Sequence, residues 1–284
     1  MTAAAAPVLT QLNYLAPQRE PLHTYGFDPP DGAPRFNGQL QAHAVTIHDA
    51  RALGARASLA GTGFTLAAQR SAVRDFWNED ELLRLAYPEA EALVRELSGA
   101  VGARCFDRTR RRRAAHRPPL DGMGGSFAAV REPVGRVHAD YTPRSGPQRV
   151  RQVLGDAAAE RVLRGRWAIY GLWRPLLDEP LRDAPLALAD AASVPRADLV
   201  PNDLVYRERR GQTYAVLHRA EHRWYWFAQQ CRDEVIVFVH YDSERGEAAI
   251  TCASPHTAFE DPAAPVDAPP RQSLELRVLA WFDD

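Results

Sequence analysis

The sequence predicts a mainly β fold with flanking helices, of the sandwich, jelly-roll or barrel kind. Two observations carry this expectation. From Gly102 onward the chain breaks into short β-rich runs set apart by turn residues, and the longest helical pattern lies before that point. No repeat of fixed period appears, and no linker is clean enough to cut the chain into independent units. Short strands behind a helical region need a second layer over their apolar face, which a doubled or closed sheet with helices outside supplies.

Composition narrows the function. The 284 residues are 45% hydrophobic and 25% charged, enough apolar surface for a sizeable core and too much for a disordered chain. Basic and acidic residues number 35 and 36, a net charge of −1 that is a poor match to a protein holding nucleic-acid phosphates. No apolar run approaches the roughly 18–20 residues of a membrane helix. All 35 basic residues are arginine, so a lysine Schiff base and a P-loop lysine are excluded. Cys105, Cys231 and Cys252 are odd in number and lack a CxxC spacing, unlike a disulfide framework or a zinc-finger set. The start, MTAAAAPVLTQLNY, lacks the basic and apolar regions of a secretory signal, so a cytoplasmic location is expected.

Residues 1–40 are rich in proline and glycine and read as an extended arm, packed on the body through Tyr14, Tyr25, Phe27 and Phe36. Residues 41–100 hold a strand in HAVTIHDAR, around Val45 and Ile47, and a helical pattern from Ala72 to Leu97 that Pro88 is expected to split. Residues 101–284 supply the predicted β core through ARCFDRT, GRVHADY, RWAIYGLW, PLALADA, DLVYRER, QTYAVLHR, HRWYWFA, EVIVFVHY, AAITCAS and SLELRVLAWF. The run RTRRRRAAHR, Arg108 to Arg117, has six arginines in ten residues. It reads as an anion-binding patch or as a solvated, mobile loop, and the loop is favoured because the rest of the chain is not basic.

The chemistry lies in two short patterns. His138-Ala139-Asp140 ends an apparent strand, where residues i and i+2 point to one face. An imidazole beside a carboxylate makes two of the three ligands of a facial triad, in which two histidines and one carboxylate hold non-haem Fe(II) and leave positions open. HxD alone is a weak signal. Arg271-Gln272-Ser273 opens the final strand, and His256 precedes it across a proline-rich loop. A guanidinium fork with a neighbouring hydroxyl suits a carboxylate. On that strand Arg271, Ser273, Glu275 and Arg277 share a face opposite Leu274, Leu276 and Val278, and Arg277 is expected to pair with an acid. His222 and His240 compete with His256 for the third ligand position.

The ordered set HxD…H…RxS resembles the Fe(II)/2-oxoglutarate-dependent oxygenases and their relative isopenicillin N synthase. Further stretches resemble one branch, the CmcJ/AsaB-like hydroxylases, which include gibberellin desaturase-like proteins. They are IHDAR (47–51), GF (63–64), GAR (102–104), VHADYT (137–142), WRP (173–175), PLALADA (185–191), HRWYWF (222–227), DEVIVFVHYDS (233–243), HTAF (256–259) and PRQSLELRV (270–278). As a set they are specific; singly they are not. One departure is Gly171, before WRP, where relatives often carry Asn.

The resemblance implies a double-stranded β-helix (jelly-roll) core. It makes His138, Asp140 and His256 the iron ligands and puts Arg271 and Ser273 on the distal carboxylate of 2-oxoglutarate. It implies hydroxylation, desaturation or cyclisation of a small specialised metabolite by O2, with decarboxylation of 2-oxoglutarate to succinate and CO2. Tyr141, Tyr170, Trp173, Arg174, Tyr206, Trp224 and Tyr225 are the candidate substrate contacts, with Arg174 meeting a carboxylate or other anionic group. Two alternatives stand beside this reading. One is an iron oxidase like isopenicillin N synthase, whose RxS pair holds its substrate's carboxylate. The other is a non-catalytic jelly-roll binding protein.

Overall fold

The computed structural model describes residues 5–29, 32–120, 130–245 and 253–283. Strands β1 (Val8–Leu15), β2 (Leu22–Tyr25), β3 (Leu40–Asp49) and β4 (Phe64–Ala68) come first. A helical run follows: α1 (Glu79–Glu81), a π-helical turn (Leu82–Ala86) and α2 (Tyr87–Ser98). After β5 (Gly102–Arg112) and β6 (His138–Ala139) come α3 (Ser145–Leu154) and α4 (Asp156–Val162). The chain ends in strands: β7 (Trp167–Pro175), β8 (Leu186–Ala189), β9 (Leu199–Val205), β10 (Arg210–Val216), β11 (Trp224–Trp226), β12 (Glu234–Asp242), β13 (His256–Ala258) and β14 (Gln272–Trp281).

Among the described residues these strands form two sheets. The nine-stranded sheet runs β1-β3-β11-β8-β13-β6-β10-β9-β2, and the five-stranded sheet runs β4-β12-β7-β14-β5. Single bridges from Asn13 to Arg136 and from Leu15 to Leu217 bring β1 back toward β6 and β10, so the larger sheet curls. This is the jelly-roll architecture that the resemblance implies.

Period-two alternation sorts the side chains into layers. Tyr170 and Leu172 of β7, Val235, Val237 and Val239 of β12 and Leu274 of β14 point outward, under Leu82, Leu93 and Val94 of the helical run. Trp173, Ile236 and Phe238 point inward, onto Leu186, Leu188 and Phe227 between the sheets. The outer face of the larger sheet buries Leu12, Tyr14, Ile47, Trp224 and Trp226. Each fully buried large side chain stabilises the fold by about 1.5–3 kcal/mol relative to an exposed one. The α3–α4 pair closes one end, packing Val150 and Ala159 on Trp167, Ile169 and Leu279.

Several elements differ from the sequence expectation. The N-terminal segment contributes two strands: β1 pairs antiparallel with β3, and β2 pairs parallel with β9. The helical run begins at Glu79, where the Asn78 side chain accepts from the Glu81 amide. Phe76 is buried without being helical. Pro88 does not split the run. It falls in the first turn of α2, where a missing amide costs nothing, and the π-helical turn passes the chain into that turn unbroken.

The arginine run is corrected from mobile loop to strand. Arg108 to Arg112 belong to β5 and pair with β14. Arg108 and Arg110 pair with Glu79, and Arg112 lies over the Trp77 ring. Arg113 is 5% exposed and bridges Asp183 (2.6 Å) and Glu260 (2.8 Å). Partners for the guanidinium groups, and apolar cover for their stems, make a strand of this sequence. Residues 248–252 of AAITCAS, Cys252 included, lie outside the described residues. Among the described residues no helix is long and apolar enough to cross a membrane.

Candidate active site

β6 lies between β13 and β10, and its antiparallel register sets His138 opposite His256. Alternation turns His138 and Asp140 inward and Ala139 outward, into the Leu12–Trp224 layer. One ligand atom from each of His138, Asp140 and His256 lies within 4.8 Å of the other two. His138 Nδ1 meets the Arg136 carbonyl at 2.9 Å, and His256 Nδ1 meets the Ser254 carbonyl at 3.1 Å. A carbonyl only accepts, so both Nδ1 atoms are the protonated ones and both Nε2 atoms carry lone pairs.

The electrostatics suit metal ligation. Burial, and then the neighbouring His256, push the His138 imidazole down to about 3. Burial also lowers His256. Burial would raise Asp140, but Arg277 and the surrounding histidines, His240 first, hold its carboxyl well below the ordinary range. Two neutral imidazoles and one carboxylate, dry and on one side, could hold a divalent cation without releasing a ligand proton near neutrality.

A second set shares Asp140. His240 is fully buried, with Nε2 3.1 Å from Glu275 Oε1 and Nδ1 3.7 Å from Asp140 Oδ2. This set already contains a cation. Arg277 bonds Asp140 Oδ2 at 2.7 Å, Glu275 Oε1 at 2.9 Å and Asp107 Oδ2 at 3.0 Å. A dication beside that guanidinium would be repelled. Tying Oδ2 to Arg277 leaves Oδ1, 3.6 Å from His138 Nε2, turned to the first set. Gly171 serves the packing here: a Cβ at that position would lie 2.5 Å from His240 Nε2 and 2.6 Å from the Phe238 ring.

Arg271 and Ser273 are 2% and 1% exposed. Arg271 Nε donates to Ser273 Oγ (3.1 Å), Nη1 to the Ala184 carbonyl (2.7 Å) and its backbone amide to Asp183 (2.9 Å). Ala184 presents that carbonyl from φ 46°, a backbone strain located beside Arg271. The guanidinium lies over the Trp173 ring, 4.9 Å from its centroid. Burial, and then Arg111, push Arg271 down to about 9. No carboxylate lies within ion-pair distance of this guanidinium among the described residues, so the group suits an incoming carboxylate.

A cavity of about 640 Å³ opens beside His138 and Asp140. Tyr141 and Tyr206 line it. Tyr170, Trp173, Arg174, Trp224 and Tyr225 do not line it, and alternation separates them. Tyr170 and Arg174 point outward, Tyr170 into the layer under α2 and Arg174 over Phe76 with a bond to Gln69. Trp224 points into the outer layer and donates to Tyr14. Trp173 supports Arg271 from within the intersheet core, and Tyr225 packs beside Phe64 there. His222 bonds Asp198 and Tyr14, away from the triad. Sequence reasoning missed Arg111 as a cavity residue; its pairing opposite Ser273 turns it inward, which strand parity from the RxS pattern signals.

A family model described as an oxidoreductase/YMDC permease-like domain matches residues 12–281. The chain is 29% identical over 270 residues to the Fe(II)/2-oxoglutarate-dependent dioxygenase nvfI of Aspergillus novofumigatus, covering 90% of each chain. It is 30% identical over 255 residues to the hydroxylase/desaturase efuI of Hormonema carpetanum, covering 84% of each. A solved structure of the iron and alpha-ketoglutarate-dependent endoperoxidase NvfI superimposes with a TM-score of 0.83 at 26% identity, covering 98% of this chain and 99% of that one. With sequence, fold and donor set in agreement, the chain belongs to the family of Fe(II)/2-oxoglutarate-dependent dioxygenases, in the hydroxylase/desaturase branch, and is an oxidoreductase.

Proposed function

We propose that His138, Asp140 and His256 hold Fe(II), that Arg271 and Ser273 hold the distal carboxylate of 2-oxoglutarate, and that residues 1–284 act as one oxygenase unit. The carrying observation is the cross-strand pair His138–His256 with Asp140 on the same face. The relatives' activities support an O2-dependent oxidation of a small molecule, whose outcome is hydroxylation, desaturation or ring closure.

Iron with 2-oxoglutarate supplies O2-driven removal of hydrogen from carbon, coupled to decarboxylation of 2-oxoglutarate to succinate and CO2. The protein's part is orientation and dryness. The Arg136 and Ser254 carbonyls fix the ring tautomers of His138 and His256. Arg277 holds one oxygen of Asp140 and so directs the other. Trp173 and the Ala184 carbonyl hold the Arg271 fork in place.

Anaerobic titration of Fe(II) with and without 2-oxoglutarate tests this reading. A visible charge-transfer band that requires both, and is absent from His138→Ala and Asp140→Ala, is the expected result. Iron binding without the band would favour the oxidase that dispenses with 2-oxoglutarate. Full binding by both variants would overturn the ligand assignment.

A further inference from the structure

The chain as a whole is nearly neutral, with 35 basic and 36 acidic residues, but its cavity is not. Among the described residues, ten arginines and two aspartates, Asp107 and Asp140, line it. Both aspartates are already bonded to Arg277. Arg108 and Arg110 share Glu79. Four others, Arg111, Arg131, Arg149 and Arg210, have no carboxylate within ion-pair distance among the described residues. Arg111 donates to the Glu132 carbonyl and Arg149 lies over the Phe106 ring, contacts with groups that carry no negative charge.

Loading the centre does not change this balance. Fe(II) brings two positive charges and 2-oxoglutarate two negative ones, and Arg277 offsets one of the three carboxylates it bonds, Asp107, Asp140 and Glu275, which leaves two negative charges against the four arginines Arg111, Arg131, Arg149 and Arg210. Like charges converging on one concave site repel, and the low-dielectric walls strengthen that repulsion. A planar guanidinium offers paired donors to carboxylate and phosphate oxygens. A volume of about 640 Å³ falls in the range of small-molecule sites.

We propose that the organic substrate is an anion, carrying a carboxylate or phosphate group that docks on the Arg111–Arg131–Arg149–Arg210 side of this cavity. The proposal rests on the Fe(II)/2-oxoglutarate reading for what happens next to the bound molecule, but not for the binding itself. It moves the anion contact from Arg174, which points out of the cavity, to four arginines that line it.

Anaerobic calorimetry on the Fe(II)- and 2-oxoglutarate-loaded protein tests it with three probes on one 3-phenylpropyl stem: 4-phenylbutyrate, 3-phenylpropyl phosphate and neutral 4-phenylbutyramide. The anions are expected to bind about tenfold or more tighter than the amide, a margin of one charge-assisted bond, and to lose that margin at high salt. The double variant Arg149→Gln/Arg210→Gln loses the margin, and the single reversal Arg210→Glu, at an exposed position, lowers it with the fold intact. Whichever anion binds tighter assigns the group. Equal binding of the amide, no binding of either anion, or an unchanged margin in the variants overturns the proposal. Absence of the charge-transfer band before any probe is added counts against the Fe(II)/2-oxoglutarate reading instead, and the same titration on the unloaded protein then judges the anion proposal separately.

Discussion

His138 and His256 face each other across β6 and β13 in antiparallel register, with ring centroids 4.4 Å apart. The two residues are 118 positions apart in the chain (256 − 138). Directly opposed residues are the closest side-chain neighbours a sheet provides, so the sheet itself sets the spacing of the two imidazoles. Each ring is then fixed by a backbone carbonyl. His256→Ala removes one of the three proposed ligands without touching β6. It should abolish tight Fe(II) binding while the far-ultraviolet circular dichroism of the wild type remains; unaltered iron affinity would remove His256 from the set.

Arg277 is buried between Asp140 and Glu275. Arg277→Gln leaves two buried carboxylates short of their counterion, a change of about 3–5 kcal/mol in stability. Thermal denaturation should show a large loss, and Co(II) affinity should fall about 10–100-fold as Asp140 loses its fixed orientation. Arg277→Lys keeps the charge and should recover stability more than metal affinity, because an ammonium cannot reproduce the fork.

Trp173 lies under the Arg271 guanidinium. Desolvated cation–π contacts are worth about 2 kcal/mol. Trp173→Leu should therefore weaken 2-oxoglutarate binding by roughly tenfold or more while Fe(II) binding stays near wild type, and Trp173→Phe should recover most of the loss. Dissociation constants for iron and 2-oxoglutarate measured separately check this split.

Arg174 is buried, its Nη1 has no hydrogen-bond partner, and burial pushes its pKa down to about 10. No carboxylate lies within ion-pair distance of it among the described residues. Arg174→Met keeps the stem and removes the buried charge, which is neutral to stabilising by about 1 kcal/mol. The melting temperature should hold or rise, with the charge-transfer band unchanged. A fall in substrate binding alone would return Arg174 to the cavity.

The metal-free protein should lose stability as pH falls below neutrality. The His138 imidazole has an ordinary value of 6.5 and lies at about 3 in the fold. Between those values the unfolded chain binds a proton that the folded chain excludes, so stability is full above 6.5 and falls through the window. His256, also lowered by burial, acts in the same direction. Glu275 acts lower. Burial raises it, Arg277 and His240 outweigh burial and bring it to about 2, and its contribution is complete above 4.5 and lost toward 2. Urea midpoints should fall from about pH 7 to about pH 5, with a shallower slope in His138→Asn.

The parity of a strand is a property of the covalent chain. Hence His138 with Asp140, and Arg271 with Ser273 and Arg277, were legible as shared faces from the residues alone, as was the large set of short strands. The same rule applied to β7 separates Trp173 from Arg174, since neighbours on a strand cannot share a face. What the chain order could not decide was pairing between distant segments. The register of β6 on β13 sets His256, rather than His222 or His240, opposite His138. The pairing of β5 on β14 turns an arginine run from loop into cavity wall, and β1 and β2 become strands because β3 and β9 offer them free edges. Local geometry follows from bonds and sterics within a few residues. Register and edge pairing follow from which apolar faces and charges the whole chain must bury together.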